Sequence, residues 1–177
     1  LFNYHLKDGR LVTIRPANRT DALAMVIYLQ QIPCESDYLT FGPGEVWVNE
    51  ADEIAVISSA QSENCLMLVA IIDGCLVGNL HFRGGTRIRT RHTGEFGISV
   101  LKKYWGLGIG KTMLDYLLIW AKKSGIIKKI NLRVRSDNLA AIHLYQKIGF
   151  INEGLIIHEY FINGQYYDAL LMGITID

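Results

Sequence analysis

Three cysteines and three prolines are all that the 177 residues contain. Cys34, Cys65 and Cys75 form no C-x-x-C pair, and their number is odd. That argues against a zinc site and against a disulfide framework, and it suits a reducing compartment, the cytoplasm. An excess of charge is missing too. Lys and Arg number 18 against 17 for Asp and Glu, a formal net charge of +1, so a nucleic-acid partner gains no support. No apolar run reaches the ~18 residues of a membrane span. The opening "LFNYHLKDGR" lacks a signal-peptide apolar core, so no membrane partner is expected. His5, His81, His92, His143 and His158 stand at no metal-ligand spacing, and no metal is expected. Repeats, low-complexity tracts and linkers are absent as well. With 50% hydrophobic and 20% charged residues, the composition is ordinary for a globular chain, and one domain over residues 1–177 is expected.

What the sequence does have is a concentration of glycine at "YWGLGIGKT", Tyr104 to Thr112. A phosphate loop of the form G-x-x-x-x-G-K-[ST] would need glycine at position 105, which is Trp105. A dinucleotide fingerprint G-x-G-x-x-G would need a third glycine at position 111, which is Lys111. The stretch is instead G-x-G-x-G, followed at once by an amphipathic run. Glycines let backbone approach a ligand closely. A helix that starts here would aim free N–H groups and its positive dipole end at an anion. The dipole is worth only about 0.3–1 kcal/mol at an exposed site, so several donors must act together.

Periodicity places the remaining elements. "LVTIR", Leu11–Arg15, alternates as a strand, and Thr20 or Asp21 can cap a helix running to about Gln31, with Pro33 as its stop. Cys34–Val48 reads as irregular and Asn49–Ser59 as a helix. The apolar run Cys65–Ile72 reads as a buried strand, Asp73-Gly74 as a hairpin turn, and Cys75–Phe82 as the next strand. Arg83–Thr93 carries Arg83, Arg87, Arg89 and Arg91 and reads as a solvated hairpin tip before a strand at Glu95–Val100. A helix follows from Gly108 to about Ser124, with Met113, Leu114, Leu117, Leu118 and Ala121 on one face and Gly125 as C-cap. Lys129–Arg135 is a strand with Ile130, Leu132 and Val134 inward. Asn138–Lys147 is a helix ended by Gly149. Leu155–Ile162 and Gln165–Ile174 flank the turn signal Asn163-Gly164. The expected architecture is α/β: a mixed, largely antiparallel central sheet with helices on both faces and one βαβ crossover.

A second motif runs from Asn138 to Phe150. Asn138, Ala141, Leu144, Tyr145, Gly149 and Phe150 match N-x-x-A-x-x-L-Y-x-x-x-G-F. "WGLGIG" stands where a [QR]-x-x-G-x-[GA] loop opens a helix, with Trp105 in place of Gln or Arg. Together these motifs resemble the GNAT N-acetyltransferase superfamily, sharply over residues 95–150. The C-terminal "HEYFINGQYYDALLM" is similar to the closing hairpin of spermidine and ribosomal-protein acetyltransferases. The resemblance implies acetyl-CoA as cosubstrate. Its pantetheine would lie along Ile98, Ser99 and Val100, and its pyrophosphate on the N–H groups of Trp105, Gly106, Leu107, Gly108, Ile109, Gly110 and Lys111. Asn138 would cap its helix and touch the donor.

The resemblance also implies Tyr145 as general acid. A free thiol has a pKa of ~8.5 and a phenol ~10, so a positioned tyrosine can protonate a departing thiolate. The bland alternative is a core tyrosine. An acceptor amine of pKa ~10.4 costs about 4–5 kcal/mol to neutralise at pH 7. Glu95, at the start of the strand before the loop, is the candidate base; its alternative is a charge at a strand end. No His-Asp or His-Asn arrangement is evident to activate a cysteine, which favours direct transfer in a ternary complex. The partners implied are acetyl-CoA and a primary amine, and a homodimer is compatible with the resemblance. Glu35, Asp37 and Glu45 give Cys34–Val48 an acidic character that favours a cationic acceptor such as a polyamine, with a protein N-terminus or lysine as the alternative. Two rival functions stand beside this one. The first is a module of the same fold that binds acetyl-CoA without turnover, and the second is a nucleotide-dependent phosphotransferase, which the failed phosphate-loop count disfavours.

Overall fold

A computed structural model describes residues 1–177, and its secondary structure is continuous with the periodicities above. Eight strands form a single sheet in the order β1-β2-β3-β4-β5-β6-β8-β7. They are β1 (Phe2–His5), β2 (Leu11–Pro16), β3 (Cys65–Ile72), β4 (Cys75–Gly84), β5 (Thr93–Val100), β6 (Lys129–Arg135), β7 (Ile151–Ile162) and β8 (Gln165–Thr175). The helices are α1 (Ala22–Gln31), α2 (Glu50–Ser59), α3 (Ile109–Ser124) and α4 (Leu139–Ile148). Every neighbouring pair is antiparallel except β5 and β6, which α3 connects as a crossover. No helix is long and apolar enough to cross a membrane.

The helices cover both faces. Along β5 successive side chains alternate: Ile98 faces α3, where its Cδ1 lies beside Gly110, while Ser99 faces α1, where its hydroxyl meets Tyr28. The core is drawn from the residues that periodicity assigned to it. Met113, Leu114, Leu117 and Ala121 of α3 have no exposed surface, and Ile130, Leu132 and Val134 of β6 are buried.

Two boundaries depart from the sequence reading. β1 was not expected; it pairs Phe2–His5 with Leu11–Ile14. β7 begins at Ile151 rather than Leu155. Asp21 occupies the N-cap position of α1, as expected, but the capping hydrogen bond is made one turn earlier. Asn18 accepts from Thr20 N–H and opens a short 3₁₀ turn that runs into α1. Asp21 makes no side-chain cap bond for α1. Its carboxylate instead reaches back to the Asn18 N–H at 2.8 Å and forms a paired contact with Arg15 at 2.7 Å on each oxygen. The reciprocal pairing is a capping box, in which the third residue bonds the cap's own backbone.

Candidate active site

The site begins where two strands part. β5 and β6 pair only from Thr93–Glu95 to Lys129–Asn131. β5 runs on to Val100 along β4, and β6 runs on to Arg135 along β8. The edge of β5 facing β6 is therefore unpaired with β6 from Phe96 to Val100, and at its far end the Val100 carbonyl is taken by the Trp105 indole. Ile98, Ser99 and Val100, the expected donor contacts, all lie on this stretch.

The glycine loop follows directly. Gly106 and Gly108 have φ of +76° and +83°, a left-handed conformation that only glycine enters freely. Gly108 is the N-terminal cap of α3. The backbone N–H groups of Gly106, Leu107, Gly108, Ile109, Gly110 and Lys111 make no hydrogen bond within the chain. Six consecutive free donors at a helix start are groups that an anion could satisfy. Trp105 differs from them. Its N–H is engaged with the Lys102 carbonyl at 3.1 Å, and its indole Nε1 donates to the Val100 carbonyl at 2.6 Å. The loop is propped from β1, where the Tyr4 hydroxyl donates to the Leu107 carbonyl at 3.2 Å. Burial pushes the Tyr4 phenol above its ordinary pKa, keeping it a donor. The sequence reading missed Tyr4 because β1 itself was missed.

Tyr145 lies at the point of divergence. Its ring packs edge-on against Phe96, the first residue past the split, and against Phe150, at centroid distances of 6.0 and 5.9 Å. The residue is 7% exposed. Its hydroxyl has no partner in the chain, yet no fully buried polar side-chain atom lacks one. The hydroxyl therefore retains access to the outside. Burial pushes its pKa well above that of a free phenol. Asn138 caps α4, its side chain accepting from the Ala141 N–H at 3.3 Å, and so fixes the helix that carries Tyr145.

Glu95 sits across the sheet from Tyr145, because Glu95 and Phe96 are successive residues of one strand. Arg133 donates to both Glu95 oxygens, at 3.0 and 3.4 Å, and to Glu159 at 2.8 Å. The two carboxylates raise the Arg133 pKa, so one permanent cation serves two anions. A carboxylate has about four acceptor positions, and the guanidinium leaves some of those on Glu95 free. Arg133 and Glu159 were missed. The available signal was β6 itself, whose polar positions Lys129, Asn131, Arg133 and Arg135 carry three cations on one face. The acidic character of the segment after α1 is partly spent internally. Glu35 accepts from Gln31 and from the Lys102 N–H, each at 2.7 Å, and Glu45 folds back on the Gly42 N–H at 2.8 Å.

Residues 28–150 match the family model described as the acetyltransferase (GNAT) family. A spermidine N(1)-acetyltransferase of Escherichia coli K12 is 30% identical over 96% of this chain and 88% of its own length. The corresponding Vibrio cholerae enzyme is also 30% identical, over 71% of this chain and 65% of its own length. A solved GNAT-family acetyltransferase from Streptococcus pneumoniae superposes with a TM-score of 0.91 at 31% identity, covering 94% of this chain and 99% of that one. A Salmonella typhimurium protein solved with acetyl-CoA as its cofactor shares the fold, with a TM-score of 0.82 at 22% identity over 94% of each chain. The unpaired edge of β5, the free donors at the start of α3 and the matching family model agree: the chain belongs to the GNAT family and is an N-acetyltransferase.

Proposed function

We propose that the protein moves the acetyl group of acetyl-CoA directly onto a primary amine, with both substrates bound at once. The observation that carries this reading is the split between β5 and β6. Six free N–H donors stand at its mouth, Tyr145 packs on one face, and Glu95 with Glu159 lies on the other. The residues suit the donor in three ways. The unpaired edge from Phe96 to Ser99 can accept an extended chain as an added strand. The loop from Gly106 to Lys111 can hold a pyrophosphate. Tyr145 can protonate a thiolate that leaves between the strands. The acceptor then approaches from the Glu95 face, opposite the acid, and no covalent relay is needed.

A cationic acceptor of polyamine type fits this face best, with a protein N-terminus or lysine as the alternative. Glu95 and Glu159 share Arg133 and leave one net negative charge. The two relatives named spermidine N(1)-acetyltransferase support the same choice. Glu95 takes the amine proton through water, using the lone pairs that Arg133 leaves free. The non-catalytic alternative is disfavoured by Tyr145, whose hydroxyl is kept neutral and unpartnered.

Acetyl-CoA at a hundredfold excess over its Kd should stabilise the chain by about 2.7 kcal/mol, a Tm rise of about 5–10 °C. ATP should give none. Thiol release should then appear with spermidine or another amine of a panel. No Tm shift with acetyl-CoA would defeat the donor site, and a shift without thiol release would leave a binding module.

Glu95→Gln tests the base. At pH 7 its kcat/KM should fall about a hundredfold, the lower end for lost base catalysis. The deficit should shrink as pH approaches the amine pKa of ~10.4, where the acceptor is already neutral. A deficit constant with pH would assign Glu95 a purely structural role with Arg133.

A further inference from the structure

Arg135 is the last residue of β6 and is only 7% exposed. Three segments besides its own strand converge on it. Its Nε and Nη2 donate to the two Asp137 oxygens at 2.9 and 2.6 Å, and its Nη1 donates to the Asp37 carbonyl at 3.0 Å. The guanidinium carbon lies 4.8 Å from the Tyr38 ring centroid and 3.9 Å from that of Tyr167. Asp37 and Tyr38 belong to the segment between α1 and α2, Tyr167 belongs to β8, and Asp137 immediately precedes the Asn138 cap of α4. The hairpin is tied at the same level: the Ser136 N–H donates to the Asp168 carbonyl, and Asp168 Oδ1 accepts from the His158 N–H, each at 2.9 Å.

The Arg135–Asp137 pair is only half buried, the aspartate side chain keeping 46% exposure, so the pair adds little net stability; the best-attested use of a buried charge is to fix one arrangement over others. Arg135 suits that use. Its planar fork bonds a carboxylate on two donors and a carbonyl on a third while its faces stack on rings, which an ammonium cannot reproduce. The place is telling as well. Arg135 follows Arg133 by two residues, so both point to the same face of the sheet. That is the face of Glu95 and Glu159, where the acceptor is expected. The segment from 36 to 48 has no helix or strand of its own to hold it there.

We propose that Arg135 is a positioning residue for the acceptor. It clasps the segment 36–48 to the β7–β8 hairpin, making these the two walls of the acceptor pocket, and it sets acceptor affinity without touching the donor. The proposal rests on the acetyl-transfer reading above. The test uses the full chain with Arg135→Lys, which keeps the charge, and Tyr38→Ala, which leaves the Arg135–Asp137 pair intact. Each is compared with wild type for acetyl-CoA Kd, for kcat and KM with spermidine, and for chymotryptic cleavage at Phe41 and Trp47. Both variants should raise the spermidine KM at least tenfold and speed cleavage at least tenfold, with acetyl-CoA Kd and kcat within about threefold of wild type. Unchanged KM and cleavage would overturn the clasp, as would a parallel loss of acetyl-CoA affinity. If Arg135→Lys does not fold, Tyr38→Ala decides by the same criteria. If wild type does not acetylate spermidine, the substrate reading fails on its own, and the cleavage rates still decide the clasp.

Discussion

Tyr145→Phe is expected to bind acetyl-CoA as tightly as wild type and to lose about 10²–10⁴ in kcat, the usual range for a missing general acid. That is about 3–5 kcal/mol of transition-state stabilisation. The substitution keeps the ring and its packing on Phe96 and Phe150. The hydroxyl it removes bonds nothing in the chain, so stability should change little. A donor whose leaving thiol is more acidic should narrow the defect, because that thiolate needs less help. The raised pKa of Tyr145 adds a pH signature. Burial disfavours the phenolate, so the acid stays protonated beyond the ~10 of a free phenol, and kcat should show no alkaline decline from this group up to about pH 10. A folded Tyr145→Phe enzyme with wild-type kcat would return Tyr145 to the core.

The residues that carried this assignment were legible because their signals are local. A glycine loop and an amphipathic run are read within a dozen positions, and α3, α4 and β6 lie where their periodicities put them. What stayed hidden depends on pairing at a distance. β1 is a four-residue edge strand with half-exposed side chains, so its alternation is too short to stand out, although its Tyr4 props a loop 103 positions away. Glu95 was readable as a carboxylate in the right place. That Arg133 would hold it depends on how β5 and β6 come together before they part. The acidity of the segment after α1 was over-read for the same reason. A charge count cannot tell that Glu35 reaches across to Lys102 and that Glu45 closes its own turn. Arg135 looked like one more polar position of an alternating strand, and only tertiary contact made it a junction.

Gly108→Val should remain folded and bind acetyl-CoA at least tenfold more weakly. Two effects act together, and both concern the loop rather than the core. At φ of +83° a β-branched residue is a genuine outlier, and strain of this kind costs of order 1–3 kcal/mol. The loop is then pushed toward another conformation, and the positions of its six free N–H donors change. The side chain also stands where a pyrophosphate would approach the backbone. Space is not the obstacle within the chain itself. A Cβ at Gly108 meets nothing nearer than the Tyr4 hydroxyl at 4.0 Å, so a collapsed core is not expected. Loss of tenfold in affinity corresponds to 1.4 kcal/mol, within reach of the strain alone. Titration of acetyl-CoA by calorimetry, on a variant whose circular dichroism matches wild type, measures the effect directly. Equal donor affinity in the two proteins would show that the phosphates lie elsewhere and that the glycines serve only to turn the chain into α3.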